Sequence, residues 1–218
     1  MRVFVIVIAV FIVSVSSSYA QTPNLYIGGS GGSAAGPDGA SSDTFGEIGW
    51  RIARRLSLYG DVGEIRNLQP SAVQPIVDST TALLAGDGLT VIGTAREPVW
   101  YSVGGLRVET PAWRNLTPYM FGGAGFARIT PAAQFTYSAG TLPGAAPSPG
   151  DDVTQQLTSL GDFTQPAAAT APMLSLGGGV VVPVVHHLSV DIGYRYARIA
   201  ADTPLHTQGA TMGFGYRF

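Results

Sequence analysis

The sequence predicts an all-β fold: an eight-stranded antiparallel up-and-down transmembrane β-barrel, with short turns at one end and long loops at the other. Three observations predict it. Period-two segments recur along the chain, and Gly or Pro interrupts nearly every candidate helix. Short and long connections alternate in step with strand number, which a soluble sandwich has no reason to do. Charged residues make up only 12% of the 218 positions, against about a quarter in water-soluble domains. A surface with so little charge is not built to face water.

The rest of the composition excludes other classes. Nine Tyr, nine Phe and three Trp argue against a disordered chain, which lacks the means to bury anything. A net charge of -2 supplies no basic field for nucleic acid. There is no cysteine, hence no disulfide framework and no thiolate metal site. No cofactor motif is present: Gly28-Gly29-Ser30-Gly31-Gly32-Ser33 resembles a phosphate loop only in glycine content and reads as a loop tip.

The strands are placed near 24–30, 43–53, 56–66, 98–109, 116–129, 171–184, 188–200 and 207–218. The first, Leu25-Tyr26-Ile27-Gly28-Gly29, is short and lacks strict alternation. In the second, Ile48, Trp50 and Ile52 oppose Glu47, Gly49 and Arg51. In the third, Leu56, Leu58 and Val62 oppose Ser57, Tyr59 and Asp61. The fourth sets Leu106 and Val108 against Arg107 and Glu109. The fifth, around Tyr119 to Phe126, holds too many glycines for its faces to be assigned. The seventh is the clearest: Leu188, Val190, Ile192, Tyr194 and Tyr196 alternate with Ser189, Asp191, Gly193 and Arg195. The eighth alternates Ala210, Met212, Phe214, Tyr216 and Phe218 with Thr211, Gly213, Gly215 and Arg217.

Arg54-Arg55, Thr110–Asn115 and Val185–His187 are short connections. Those at 31–42, 67–97 and 130–170 are long, and 201–206 is intermediate. In an outer-membrane barrel the short ones are periplasmic turns and the long ones extracellular loops. The longest loop, rich in Ala, Pro, Thr, Ser and Gly, is expected to be mobile, with few groups to pack.

Which face meets lipid follows from residue identity. One face of every assigned strand is bulky and apolar. The other holds Gly, Ser and Thr with ions of both signs: Glu47, Arg51, Asp61, Arg107, Glu109, Asp191, Arg195 and Arg217. Small residues and mutually neutralising charges suit a narrow, filled lumen, with aromatic and aliphatic side chains turned to lipid. An inward apolar face around a ligand, as in a soluble lipocalin-like barrel, would need dense charge outside. Eight strands leave a bore that side chains fill, so open-channel activity is not expected. Asp191 or Arg195 should pair with an opposite charge from a neighbouring strand, since unpaired ions there are costly.

The amino terminus reads as an export signal over residues 1–20. Met1-Arg2 is a short basic region, Val3 to Val15 an unbroken apolar run, and Ser18-Tyr19-Ala20 a small-residue cleavage site before Gln21. The run is about 13 residues, too short for a spanning helix of about 20. The barrel domain then occupies 21–218.

Thr211-x-Gly213-x-x-Tyr216-x-Phe218 resembles the signal read by the outer-membrane assembly machinery: polar, glycine, then two spaced aromatics. Asp191 to Tyr196 resembles the penultimate strand of small OmpA-like barrels. Gly49-Trp50-Arg51-Ile52 with Leu56-Ser57-Leu58-Tyr59 is similar to their second and third strands. The resemblance covers about 100 residues of strand and none of the long loops. It implies residence in the outer membrane of a Gram-negative-type bacterium, contact with its lipid, insertion by the barrel-assembly machinery, and a structural or adhesin-like surface role without catalytic residues. With no stretch beyond Phe218, a cell-wall-tethering domain is not expected.

Two candidates for chemistry remain. His186-His187 sits in a turn with no Cys, Asp or Glu within four positions upstream, poor placement for a metal pair. His187-Leu188-Ser189 puts an imidazole and a hydroxyl two residues apart on one strand, where the first could activate the second. Barrels that deacylate lipid A resemble this, but Val190 stands where they have Asn, and the site falls at the periplasmic rim. A lipid A hydrolase using His187 and Ser189 is therefore the lesser reading.

Overall fold

The computed structural model describes residues 25–144 and 146–218; the export-signal expectation for 1–20 lies outside them. The described residues form ten strands: β1 (Leu25–Gly36), β2 (Gly39–Ala53), β3 (Leu56–Ile65), β4 (Leu89–Arg96), β5 (Val99–Glu109), β6 (Thr117–Ile129), β7 (Ala132–Gly140), β8 (Ala169–Val185), β9 (Leu188–Ile199) and β10 (Leu205–Arg217). Among the described residues there are also two α-helices, α1 (Gln74–Gly86) and α2 (Thr154–Leu160), and a 3₁₀ turn at Pro70–Ala72.

Eight strands close into an antiparallel barrel in the order β1-β10-β9-β8-β6-β5-β3-β2. Closure leaves no sheet edge, the condition for strands to cross a membrane. No helix among the described residues is long and apolar enough to do so. The alternation works as read. Trp50, Met120 and Phe126 are 61%, 71% and 64% exposed on the outer face, beside Ile48, Leu58, Leu106, Ile192, Met212 and Phe214. Asp61 and Arg195, at 1% and 5%, point inward with Ser57, Arg107 and Glu109.

The inward aromatics explain much of the glycine. Tyr26 lies directly opposite Gly49, Phe45 and Tyr101 opposite Gly63, Tyr59 opposite Gly105, Phe121 opposite Gly177, and Tyr119 opposite Gly179. A ring that leans across a narrow bore needs a partner strand with no side chain beneath it. At Gly49 an added Cβ would meet the Tyr26 ring, and at Gly177 that of Phe121.

Three expectations are corrected. The first long loop, 31–42, is not a loop: β1 continues to Gly36, β2 begins at Gly39, and Pro37-Asp38 turns between them, with Gly39 at φ 113°. Gly28 to Ser33, read as a loop tip, is therefore mid-strand. Glycine and serine carry no hydrophobic alternation, yet their backbones pair with β2 throughout and with β10 as far as Gly32.

Second, the described residues of the two longest connections hold strands, helices and a core of their own. Segments 67–97 and 130–168 build one cap: β4 pairs with β7, α1 packs on β4, and α2 on β7. Val77, Leu84, Val91, Phe135, Val153, Leu157 and Phe163 form its core, with Phe135 and Phe163 edge-to-face at 5.0 Å. The second edge of β7 is covered too, since Tyr137 N–H donates to Asp151 O and Val153 N–H to Phe135 O. The segment looked mobile because its apolar residues are sparse; they find partners only in the other loop.

Third, small residues and ions fill only part of the lumen. Toward the loop end Ile65, Leu68, Val99, Ala127, Ile129, Met173, Ile199 and Leu205 form an apolar plug.

Candidate functional site

The luminal ions stack in three tiers, each spanning the bore. Nearest the short turns, Glu109 on β5 accepts from Arg217 on β10 at 2.8 Å and from Arg51 on β2 at 3.5 Å. In the middle, Arg107 on β5 donates to Glu47 on β2 at 3.0 Å and to Asp191 on β9 at 3.1 Å. Its guanidinium lies 3.6 Å from the Tyr119 ring centroid, and the Tyr119 hydroxyl donates to Asp191. Closest to the apolar plug, Arg195 on β9 donates to Asp61 on β3 and, at 3.0 Å, to the Tyr101 hydroxyl. That hydroxyl donates to Asp43 at 2.8 Å, and the guanidinium lies 3.9 Å from the Phe45 centroid. Arg107 Nε, 4.0 Å from Glu109, links the lower two tiers.

All eight sequence-selected ionic residues thus meet in the lumen, and their partners correct one expectation. Asp191 and Arg195 pair across the barrel, not with a neighbouring strand. Adjacent strands point their side chains side by side, whereas a bore this narrow lets long arginines reach the far wall. Sequence reasoning missed Asp43, Tyr101 and Tyr119. The signal for the first two was present: Asp43 shares parity with Glu47 and Arg51, and Tyr101 with Arg107 and Glu109. The glycine-rich β6 hid the third. A void of about 40 Å³ beside Tyr26, Glu47, Arg107 and Asp191 leaves room for a few waters and no larger ligand.

The four residues of the carboxy-terminal motif lie at the closure. Thr211 and Gly213 face the lumen, while Tyr216 and Phe218 are exposed outside, edge-to-face at 4.9 Å. Phe218 N–H donates to Leu25 O, and β10 pairs with β1 from Arg217↔Tyr26 upward.

His187 and Ser189 do not come together. His187 Nδ1 lies 2.8 Å from Arg217 O and its ring stacks on Tyr216 outside the wall. Ser189 turns inward and donates to Gly215 O at 3.3 Å. The turn changes the direction of residue 187, so the shared-face premise fails. Among the described residues no group of three or more His, Asp or Glu is placed to hold a metal ion.

The cap is pinned to the first hairpin. Asp38 accepts from the Ser71 N–H at 2.7 Å and hydroxyl at 2.8 Å, and Ser41 Oγ accepts from Asn67 N–H at 2.9 Å. Glu97, behind this contact, is buried, and that burial raises its carboxyl above the ordinary carboxylate range. Asp152, which accepts from the hydroxyl and N–H of Thr154 at the start of α2, is lowered by those bonds.

No protein-family model and no curated protein matches the chain by sequence. Solved structures do match by shape. Neisserial surface protein A has a TM-score of 0.54 at 14% identity, over 89% of this chain and 97% of that one. The amino-terminal β-barrel domain of Pseudomonas aeruginosa OprF has 0.51 at 12%, over 91% and 100%. A major outer membrane protein of Thermus thermophilus has 0.51 at 12%, over 89% and 98%. The chain has the fold of the small transmembrane β-barrels.

Proposed function

We propose that this protein is an outer-membrane β-barrel with a side-chain-closed lumen, whose ordered cap stands outside the cell in a structural or adhesin-like surface role. One observation carries the reading. The barrel's outer face exposes a continuous apolar band, from Trp50 and Leu58 through Leu106 and Met120 to Ile192 and Phe214. Monomeric proteins in water rarely expose apolar patches of that extent, and where they occur they mark a membrane or partner surface. The short turns and both barrel termini then belong to the periplasm, and the cap to the exterior. The ionic tiers and the apolar plug support a closed bore.

Export by a signal cleaved near Ala20, and recognition of Thr211, Gly213, Tyr216 and Phe218 by the barrel-assembly machinery, complete the reading. Both rest on the sequence pattern. The interaction surface is the cap, because loops on a rigid barrel are where such proteins can vary their partners.

The test is fractionation with electrophoresis. The protein should enter the outer-membrane fraction and migrate faster unheated than boiled. A protease site inserted at the exposed Gly144 turn should be cut on intact cells. A monomer soluble without detergent would overturn the proposal.

A further inference from the structure

The arginines are sorted by place. Four lie in the lumen, Arg51, Arg107, Arg195 and Arg217, and each holds a carboxylate. Arg66, Arg96, Arg128 and Arg198 lie at the loop end, exposed, and form no ion pair among the described residues. Two of these stand on the outer wall as the penultimate residues of their strands. Arg128 on β6 is directly opposite Trp100, and Arg198 on β9 directly opposite His206.

The wall around Arg198 changes character at that level. Tyr196 and His206 Nδ1 share a hydrogen bond of 2.6 Å, and the Tyr194 hydroxyl donates to Gln208 at 2.9 Å. Immediately below come Ile192, Met212 and Phe214, fully apolar and exposed. The guanidinium groups therefore sit where hydrocarbon gives way to headgroups, flanked by an indole or phenol as interfacial positions usually are. Guanidinium binds phosphate through two parallel hydrogen bonds, a geometry that ammonium does not offer. The nearby acid on the outer face, Glu64, lies two strands from Arg128.

We infer that Arg128 and Arg198, the latter with His206, form phosphate-binding positions for the phosphorylated glycolipid of the outer leaflet. This deepens the outer-membrane reading and rests on its orientation. Arg54, Arg55 and Arg114 occupy the opposite, turn end and take no part.

The experiment uses the full barrel refolded in detergent micelles, with binding followed by tryptophan fluorescence, Trp100 being the reporter beside Arg128. The probes are lipid A with both phosphates, lipid A stripped of phosphate, and inorganic phosphate as competitor. Arg128→Ala and Arg198→Ala should each weaken binding of the phosphorylated lipid about tenfold. Neither should change binding of the stripped lipid, and Arg54→Ala should change neither. Equal affinity for the two lipids, or wild-type affinity in both variants, overturns the inference. Efficient competition by millimolar inorganic phosphate overturns the lipid assignment in favour of a general anion site. A chain that never takes up the heat-modifiable form defeats the outer-membrane reading itself; one that does, yet binds the two lipids alike, defeats only this inference.

Discussion

The guanidinium of Arg195 on β9 meets the carboxylate of Asp61 on β3, the strand diametrically opposite in the barrel. Both are almost completely buried, so neither tolerates loss of the other. Asp61→Ala or Arg195→Ala should cost about 3–5 kcal/mol, because each leaves an uncompensated charge. The double replacement by Leu and Met should cost less than either single change. Urea unfolding of the refolded barrel measures this; equal, small effects for both singles would show the pair to be solvated.

Tyr26 and Gly49 test the ring-over-glycine packing. An added Cβ at Gly49 meets only the Tyr26 ring among its nearest neighbours, whereas at Gly209 it meets the Ser33 carbonyl. Gly49→Ala should destabilise by about 1–3 kcal/mol and be relieved in a Tyr26→Ala background. Gly209→Ala should find no such side-chain rescue, since backbone cannot rotate away. The Gly49→Ala/Tyr26→Ala and Gly209→Ala/Ser33→Ala double-mutant cycles, read by denaturant midpoint, carry the contrast.

Orientation has its own probe. Ile192→Arg on the outer wall should cost about 2–4 kcal/mol if the residue lies near the bilayer midplane. In water the same substitution on an exposed side chain would be nearly neutral. Refolding into lipid vesicles distinguishes the two.

The cap should unfold separately from the barrel. Phe135 is fully buried against Phe163, and Phe135→Ala should remove about 3–5 kcal/mol from the cap. Limited proteolysis should then cut between 140 and 165 while heat-modifiable migration persists. Loss of the folded barrel would show the two to be one cooperative unit.

Glu97 gives the cap a pH dependence. Its carboxyl is raised from an ordinary value of 4.5 mainly by burial, against a Gln69 backbone bond that lowers it. The folded state thus binds the proton more tightly than the unfolded one. Its stabilising contribution is complete below the ordinary value and is lost as pH rises through the raised one. Glu97→Gln should make the cap more stable at neutral pH and flatten that decline, measured by protease susceptibility across pH.

Sequence alone determined the barrel, the number of its strands and the inward face of the strands whose alternation is strict. Alternation in β9 and β10 is a local property: side chains two apart share a face whatever the rest of the chain does. It also selected the eight ions, since parity with a neighbouring apolar residue suffices. It could not see that β1 runs to Gly36, because glycine and serine leave no pattern, nor where Tyr119 points within β6. Tertiary structure alone decided who pairs with whom. Arg195 reaches Asp61, and Val77 and Phe135 enter one core, through closure of the barrel and docking of two distant loops. Contacts between residues far apart in the chain depend on distances across a bore and a cap that no local period encodes.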